Sequence, residues 1–144
     1  MFNYFAFGSN MSAKRMHERL GWSPSRSGAI LQNYEMVFNK HSNDGGKANI
    51  MKSPSDVVEG ILYYVNEEDL VILDKYEGVA NNQYKRHEII VQDYNKISIA
   101  AIAYKALNQG NFSAPTEEYL NYILEGKEFL SPRYYAKLKS TETI

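Results

Sequence analysis

Two short stretches of the chain hold residue types that could do acid–base or anion-binding chemistry. The first is Phe7-Gly8-Ser9-Asn10, where the aromatic, apolar run Phe2 to Phe7 breaks at a glycine ahead of a helical pattern. A strand that turns through glycine into a helix leaves several backbone N–H groups pointing one way, a ready site for a carboxylate or a developing oxyanion. Gly8 lets a ligand approach the backbone, and Ser9 and Asn10 add side-chain donors. One glycine is too little for a phosphate cradle of the nucleotide-binding kind, and junctions of this sort also occur as plain turns. The second stretch ends at Glu77. Leu70 and Leu73 mark the inward stripe of a helix, and Glu77, four past Leu73, continues it. A carboxylate on an apolar face is costly to bury. Desolvation and the negative end of the helix dipole both raise its pKa, towards the range where it can take and return a proton at neutral pH. The alternative is a glutamate turned to water from a frayed last turn. Pairing with Glu59 or Asp74 is a third option, although Asp74 should point away from Glu77 and nothing places Glu59.

The surrounding pattern predicts the elements that would hold these groups. Ser12 caps a helix over Ala13 to Leu20, with Met16 and Leu20 on its inner face and Gly21 as its stop. Ala29 to Asn39 reads as a strand, Ser42-Asn43-Asp44-Gly45-Gly46 as a turn, and Lys47 to Ile50 as a brief return strand. After a second turn at Ser53-Pro54-Ser55-Asp56, Val57 to Val65 reads as another strand. Gly60 within it suggests a bulge or a close approach to the backbone. Asn66 caps the helix that carries Glu77, with Glu67, Glu68 and Asp69 at its positive end and Gly78 at its stop. Tyr84 to Tyr94 and Ile97 to Ala106 read as a hairpin through Asn95-Lys96. Pro115 opens a helix to about Leu124, and Ser131-Pro132 opens the last, over Arg133 to Lys139. No repeat or linker interrupts residues 1–144, which read as one domain. The tally is about six strands and four helices without regular strand–helix alternation. The fold class is therefore α+β, a mixed, partly closed, barrel-like sheet with helices packed outside.

Composition narrows the chemistry. With 16 basic and 17 acidic residues in 144, the net charge of −1 gives no reason to expect nucleic acid or an anionic membrane as partner. There is no cysteine, so there is no disulfide, thiol nucleophile or thiolate metal site. His17, His41 and His87 are far apart and lack metal-ligand spacing. No apolar run approaches the roughly 20 residues of a membrane span, and the expected compartment is the cytoplasm. The 12 tyrosines fit either a β core or a ring-lined pocket. Oligomeric state is not legible.

Several motifs in register resemble the γ-glutamylcyclotransferase family. Tyr4-Phe5-Ala6-Phe7-Gly8-Ser9-Asn10-Met11 is similar to that family's opening Y-G-S-N loop. Gly45-Gly46-Lys47-Ala48-Asn49-Ile50, Ser53-Pro54-Ser55-Asp56, Val58-Glu59-Gly60-Ile61-Leu62-Tyr63 and Leu73-Asp74-Lys75-Tyr76-Glu77-Gly78-Val79 follow in the family's order, as does the stretch around Ala114 to Tyr119. The resemblance implies substrate contacts at Phe7, Gly8, Ser9, Asn10 and Met11, a catalytic glutamate at Glu77 and a substrate-contacting tyrosine at Tyr119. Tyr119, Tyr122 and Ile123 could instead be the inner face of their helix. The departure is Phe7, where family members commonly carry tyrosine; the backbone donors survive that change but a ring hydroxyl does not.

The implied reaction turns a γ-glutamyl amino acid or amine into 5-oxoproline and free amine, by attack of the α-amine on its own γ-carbonyl. It requires no metal, cofactor or enzyme nucleophile. Two rivals stand beside it: a catalytically silent binding module on the same fold, and a relative acting on glutathione, a γ-glutamyl amine or a γ-glutamyl-protected intermediate. Specificity among these would lie at the rim, at Phe7, His41, Tyr84 and Tyr119. A purely structural role has little support.

Overall fold

A computed structural model describes all of residues 1–144. Five strands, β1 (Phe2–Ala6), β2 (Arg26–Lys40), β3 (Lys47–Val65), β4 (Tyr84–Asp93) and β5 (Ser98–Ala106), close into a barrel in the order β1-β3-β2-β4-β5. All neighbours are antiparallel except β1 and β5, which run parallel and close the barrel at Tyr4–Ile102. Four helices, α1 (Ala13–Leu20), α2 (Glu67–Tyr76), α3 (Glu117–Leu124) and α4 (Pro132–Lys139), complete the fold. The α+β class and the barrel with its helices are as the pattern predicts, and the barrel is fully closed.

The helix boundaries follow their caps. Ser12, Asn66 and Ser131 each accept a hydrogen bond from the N–H three residues on, which satisfies a donor that a helix start leaves orphaned. Asn66 and Asp69 form a reciprocal capping box. Asp69 is buried, not solvated as its position suggests, and also accepts from the Trp22 indole at 3.0 Å. α3 starts two residues later than Pro115 predicts, because the Thr116 hydroxyl takes the cap, accepting from Tyr119 N at 3.1 Å. Met16 and Leu20 bury the inner face of α1, and Leu70 and Leu73 that of α2.

One sequence signal misleads. The expected turn at Ser53-Pro54-Ser55-Asp56 does not reverse the chain, so the two strands predicted on either side are the single strand β3. Its partner β2 carries a register shift between Gln32 and Tyr34. Asn33 and Ser55, on opposite strands, both take positive φ, 65° and 70°. The polar, turn-forming residues are used as a paired irregularity that bends two long strands together. Gly60 serves close approach and not a bulge: its pairing with Ala29 lies in unbroken register, and a Cβ there would fall 2.4 Å from the Ala6 carbonyl oxygen and 2.8 Å from the Phe5 ring.

Candidate active site

At the end of β1 the ladder stops at Ala6–Ile61, and the chain passes through Phe7 and Gly8 into a single 3₁₀ turn over Ser9–Met11. Met11 N donates to Gly8 O and Ser12 N to Ser9 O. That pattern leaves the amides of Gly8, Ser9 and Asn10 without an acceptor in the chain, the arrangement that suits an anion. Met11 differs: its N–H is engaged, its side chain is wholly buried, and it does not line the cavity.

Asn10 braces the loop. Its Nδ2 donates to the Tyr4 hydroxyl at 2.9 Å, and its Oδ1 accepts from Arg19 at 2.9 Å. The Tyr63 hydroxyl donates to its carbonyl at 2.6 Å, and Arg26 donates to the Met11 carbonyl at 3.2 Å. The expectation of a free side-chain donor at Asn10 therefore holds only for whatever its second amide hydrogen can reach. The Ser12 hydroxyl ties the loop to the end of α3, donating to Glu125 at 3.1 Å.

Glu77 caps the carboxyl end of α2, donating its N–H to Leu73 O at 2.9 Å before Gly78 (φ 65°) turns the chain away. Its carboxyl lies where the extension of the Leu70–Leu73 stripe predicts, on the wall of a cavity of about 130 Å³. It joins no salt bridge. Burial pushes its pKa up to about 7, against a smaller opposing pull from the Arg19 and Arg15 guanidinium groups. The competing carboxylates are occupied elsewhere. Asp74 accepts from Arg86 at 2.7 and 2.9 Å and from the Tyr104 hydroxyl at 2.7 Å. Burial works against its ionisation, but these donors outweigh it and hold its pKa below the ordinary value. Glu59 accepts from the N–H and hydroxyl of Ser131 at 2.6 and 2.7 Å.

Phe7, Gly8, Ser9, Asn10, Glu77 and Tyr119 all line this one cavity. Tyr119 accepts from the Ala48 amide at 3.0 Å, which leaves its own proton free to donate. Burial raises its pKa to about 12, so it is a neutral donor at pH 7. On the inner face of α3, Ile123 is buried as expected and Tyr119 packs against the core, while Leu120 takes the place expected of Tyr122. Gly8 is hemmed by the same tyrosine, since a Cβ there would lie 3.3 Å from Ala48 Cβ and 3.5 Å from the Tyr119 hydroxyl. Of the expected rim, Phe7, Tyr84 and Tyr119 line the cavity and His41 does not; its ring contacts the Asn111 carbonyl at 2.9 Å. Residues that the sequence did not single out complete the wall, chiefly Tyr4, Arg15, Arg19 and Lys47. The i, i+4 spacing of Arg15 and Arg19, directly before Met16 and Leu20, is the signal that could have drawn attention to the first helix. No group of three or more histidine, aspartate or glutamate side chains comes together to hold a metal ion.

The cavity thus joins a proton-holding carboxyl, unpaired loop amides and a tyrosine donor. Comparison with known proteins bears on its identity. The model of the AIG2-like family matches residues 57–138. A γ-glutamylcyclotransferase of Bos taurus is 32% identical over 98% of this chain and 79% of its own length. The chain belongs to the γ-glutamylcyclotransferase family. The γ-glutamylcyclotransferase of Homo sapiens is 31% identical, again over 98% of this chain and 79% of its own. A solved γ-glutamyl cyclotransferase structure, 32% identical, superposes with a TM-score of 0.91 over 99% of this chain and 89% of its own. Membership places the chain in an enzyme family, and the barrel and outer helices are that family's fold.

Proposed function

We propose that the protein is a γ-glutamylcyclotransferase in which Glu77 moves protons and the Gly8–Asn10 amides hold negative charge. The observation that carries this reading is the Glu77 carboxyl, without a salt-bridge partner, on the wall of the cavity that also holds the unpaired loop amides; burial there pushes its pKa up to about 7. Family membership supports the reaction type.

Nucleophile and electrophile lie in one substrate, so much of the work is to select the folded conformer; well-oriented intramolecular reactions reach effective molarities of about 10⁵–10⁸ M. Ionised Glu77 takes a proton from the substrate α-ammonium. The freed nitrogen pair attacks the γ-carbonyl carbon, a C–N bond forms, and the carbonyl π electrons move to oxygen. Amides of Gly8, Ser9 and Asn10 stabilise that oxyanion or the substrate carboxylate. Collapse breaks the bond to the departing nitrogen, which receives the proton from Glu77. A second proton, lost by the new ring nitrogen, follows the same route. The products are 5-oxoproline and the free amine. The reaction as drawn needs no metal or cofactor, and a cysteine-free chain acting on a small metabolite suits the cytoplasm.

Incubation with γ-glutamyl-alanine should release 5-oxoproline. Glu77→Gln should keep the fold and lower kcat by about 10²–10⁴-fold, the usual worth of a positioned acid–base group. Full activity in that variant, or binding without product in the unaltered protein, would sink the proposal.

A further inference from the structure

The reacting half of the cavity leaves two cations unused, Lys47 and Arg15. Arg19 is engaged by Asn10 and stacks on Tyr76, 4.4 Å from its ring centre. Lys47, at the start of β3, also lines the cavity. Its side chain is only 22% exposed and its ammonium lies 4.4 Å from the centre of the Tyr119 ring. The next residue, Ala48, donates to the Tyr119 hydroxyl at 3.0 Å and accepts from the Tyr84 hydroxyl at 2.8 Å, which fixes the base of the lysine against the wall. The counter-ion of Lys47 is Asp44, 3.1 Å away but 74% exposed on the turn before β3. An ion pair with one partner in solvent is weak, so Asp44 holds the ammonium in place without neutralising it against a stronger anion. Arg15, on α1, lines the same cavity: its guanidinium covers Tyr122 of α3, 4.4 Å from the ring centre and three residues along that helix from Tyr119, and its buried Nε has no partner. The tyrosine pair holds two cations about one helical turn apart.

We propose that Lys47, supported by Arg15, is the specificity-determining cation of this site and binds the carboxylate of the departing amino acid. The inference rests on the γ-glutamyl reading of the cavity. Glu77 serves the α-nitrogen and the loop amides serve the γ-carbonyl oxygen or the glutamyl carboxylate. The second carboxylate of a γ-glutamyl amino acid then needs its own donor, and a γ-glutamyl amine has nothing to offer Lys47. Tyr119 ties this reader to the reacting centre, since its ring holds the ammonium and its hydroxyl lies against Gly8.

The test compares γ-glutamyl-alanine with γ-glutamyl-ethylamide, the same molecule without the leaving-group carboxylate. Affinities are measured calorimetrically on the Glu77→Gln protein, and kcat and KM on the otherwise unaltered one. The alanine compound should be preferred by about tenfold or more, the usual worth of a charge-assisted contact, with the difference in KM. Lys47→Met should shrink the affinity ratio to within about threefold, Lys47→Arg should restore it, and Asp44→Asn should widen it by a few-fold because the competing anion is gone. A ratio unchanged by Lys47→Met, or equal losses for both compounds, overturns the assignment. A binding preference that follows Lys47 in a protein yielding no 5-oxoproline would overturn the reaction instead and leave Lys47 as the reader of the carboxylate.

Discussion

Glu77 keeps its proton to about pH 7 because its carboxyl is desolvated, while Arg15 and Arg19 stop the pKa rising further. Two measurable consequences follow. The first is kinetic: kcat/KM should have an acidic limb near pH 7, falling about tenfold per pH unit below it as the carboxylate is lost. Arg15→Met removes one of the two opposing charges, so that limb should move to higher pH; no movement, or movement downward, would contradict the assignment. The second concerns stability. A pKa of about 7 in the folded state against an ordinary 4.5 means that the folded protein binds this proton more tightly than the unfolded chain. The relative stability is full below pH 4.5 and is lost as pH rises to 7, by at most about 3 kcal/mol at 1.36 kcal/mol per pH unit. Denaturant titration of Glu77→Gln should therefore show a stabilisation that is absent at pH 4, grows to pH 7 and is flat above it. Glu77 was legible because the Leu70–Leu73 spacing left a charge on an apolar stripe. Arg15, Arg19 and Lys47 were not, since a basic residue on a helix or strand usually marks a solvated face. Only the folded chain shows that Tyr122, Tyr76 and Tyr119 hold them at the cavity.

At the scale of elements, what positions the site is the junction of β1 with β3 and the docking of α2. The Ala6 carbonyl and Phe5 ring press on Gly60 so closely that no side chain fits. Gly60→Ala must push β1 away just before the Phe7 to Asn10 loop. Its expected cost is about 1–3 kcal/mol, as for other overpacked positions, accompanied by a fall in kcat/KM that a distant variant of equal cost does not show. Thermal melts and kinetics on both variants would separate the two effects. α2 is held by Arg86, which spans Asp74 at 2.7 Å and Glu67 at 3.1 Å. The buried Tyr104 hydroxyl on Asp74 adds a third tie, so the carboxylate one turn before Glu77 fixes the helix and not the chemistry. Local signals made the helices legible: Ser12, Asn66 and Ser131 cap where their sequences say. They failed at residues 53–56 because turn-forming residues also serve a bend, and only the partner strand, with Asn33 opposite, decides between the two.

At the scale of the whole molecule, cavity and barrel closure are one construction. Tyr4, whose hydroxyl accepts from Asn10, is also the β1 residue that meets Ile102 at the parallel seam. Its ring packs against Tyr63 and Tyr104, from β3 and β5. A seam of one registered pair leaves no periodicity to read, which is why closure was legible only as far as a partly closed sheet. The cavity wall gathers residues from Tyr4 to Tyr119, so a ligand bound there bridges β1, α1, the start of β3, α2 and α3 at once. Binding to the folded state alone stabilises it by about 2.7 kcal/mol at a ligand concentration of 100 times Kd. For a chain of this length that corresponds to a rise in Tm of roughly 5–11 °C. The Glu77→Gln protein with γ-glutamyl-alanine, which it should bind and not consume, allows the measurement. Hydrogen exchange in the same complex should slow in the Gly8–Asn10 loop, α2 and the first turn of α3 together. Protection confined to the loop would mean that the ligand does not reach Glu77 or Tyr119, and would remove the shared cavity on which the mechanism depends.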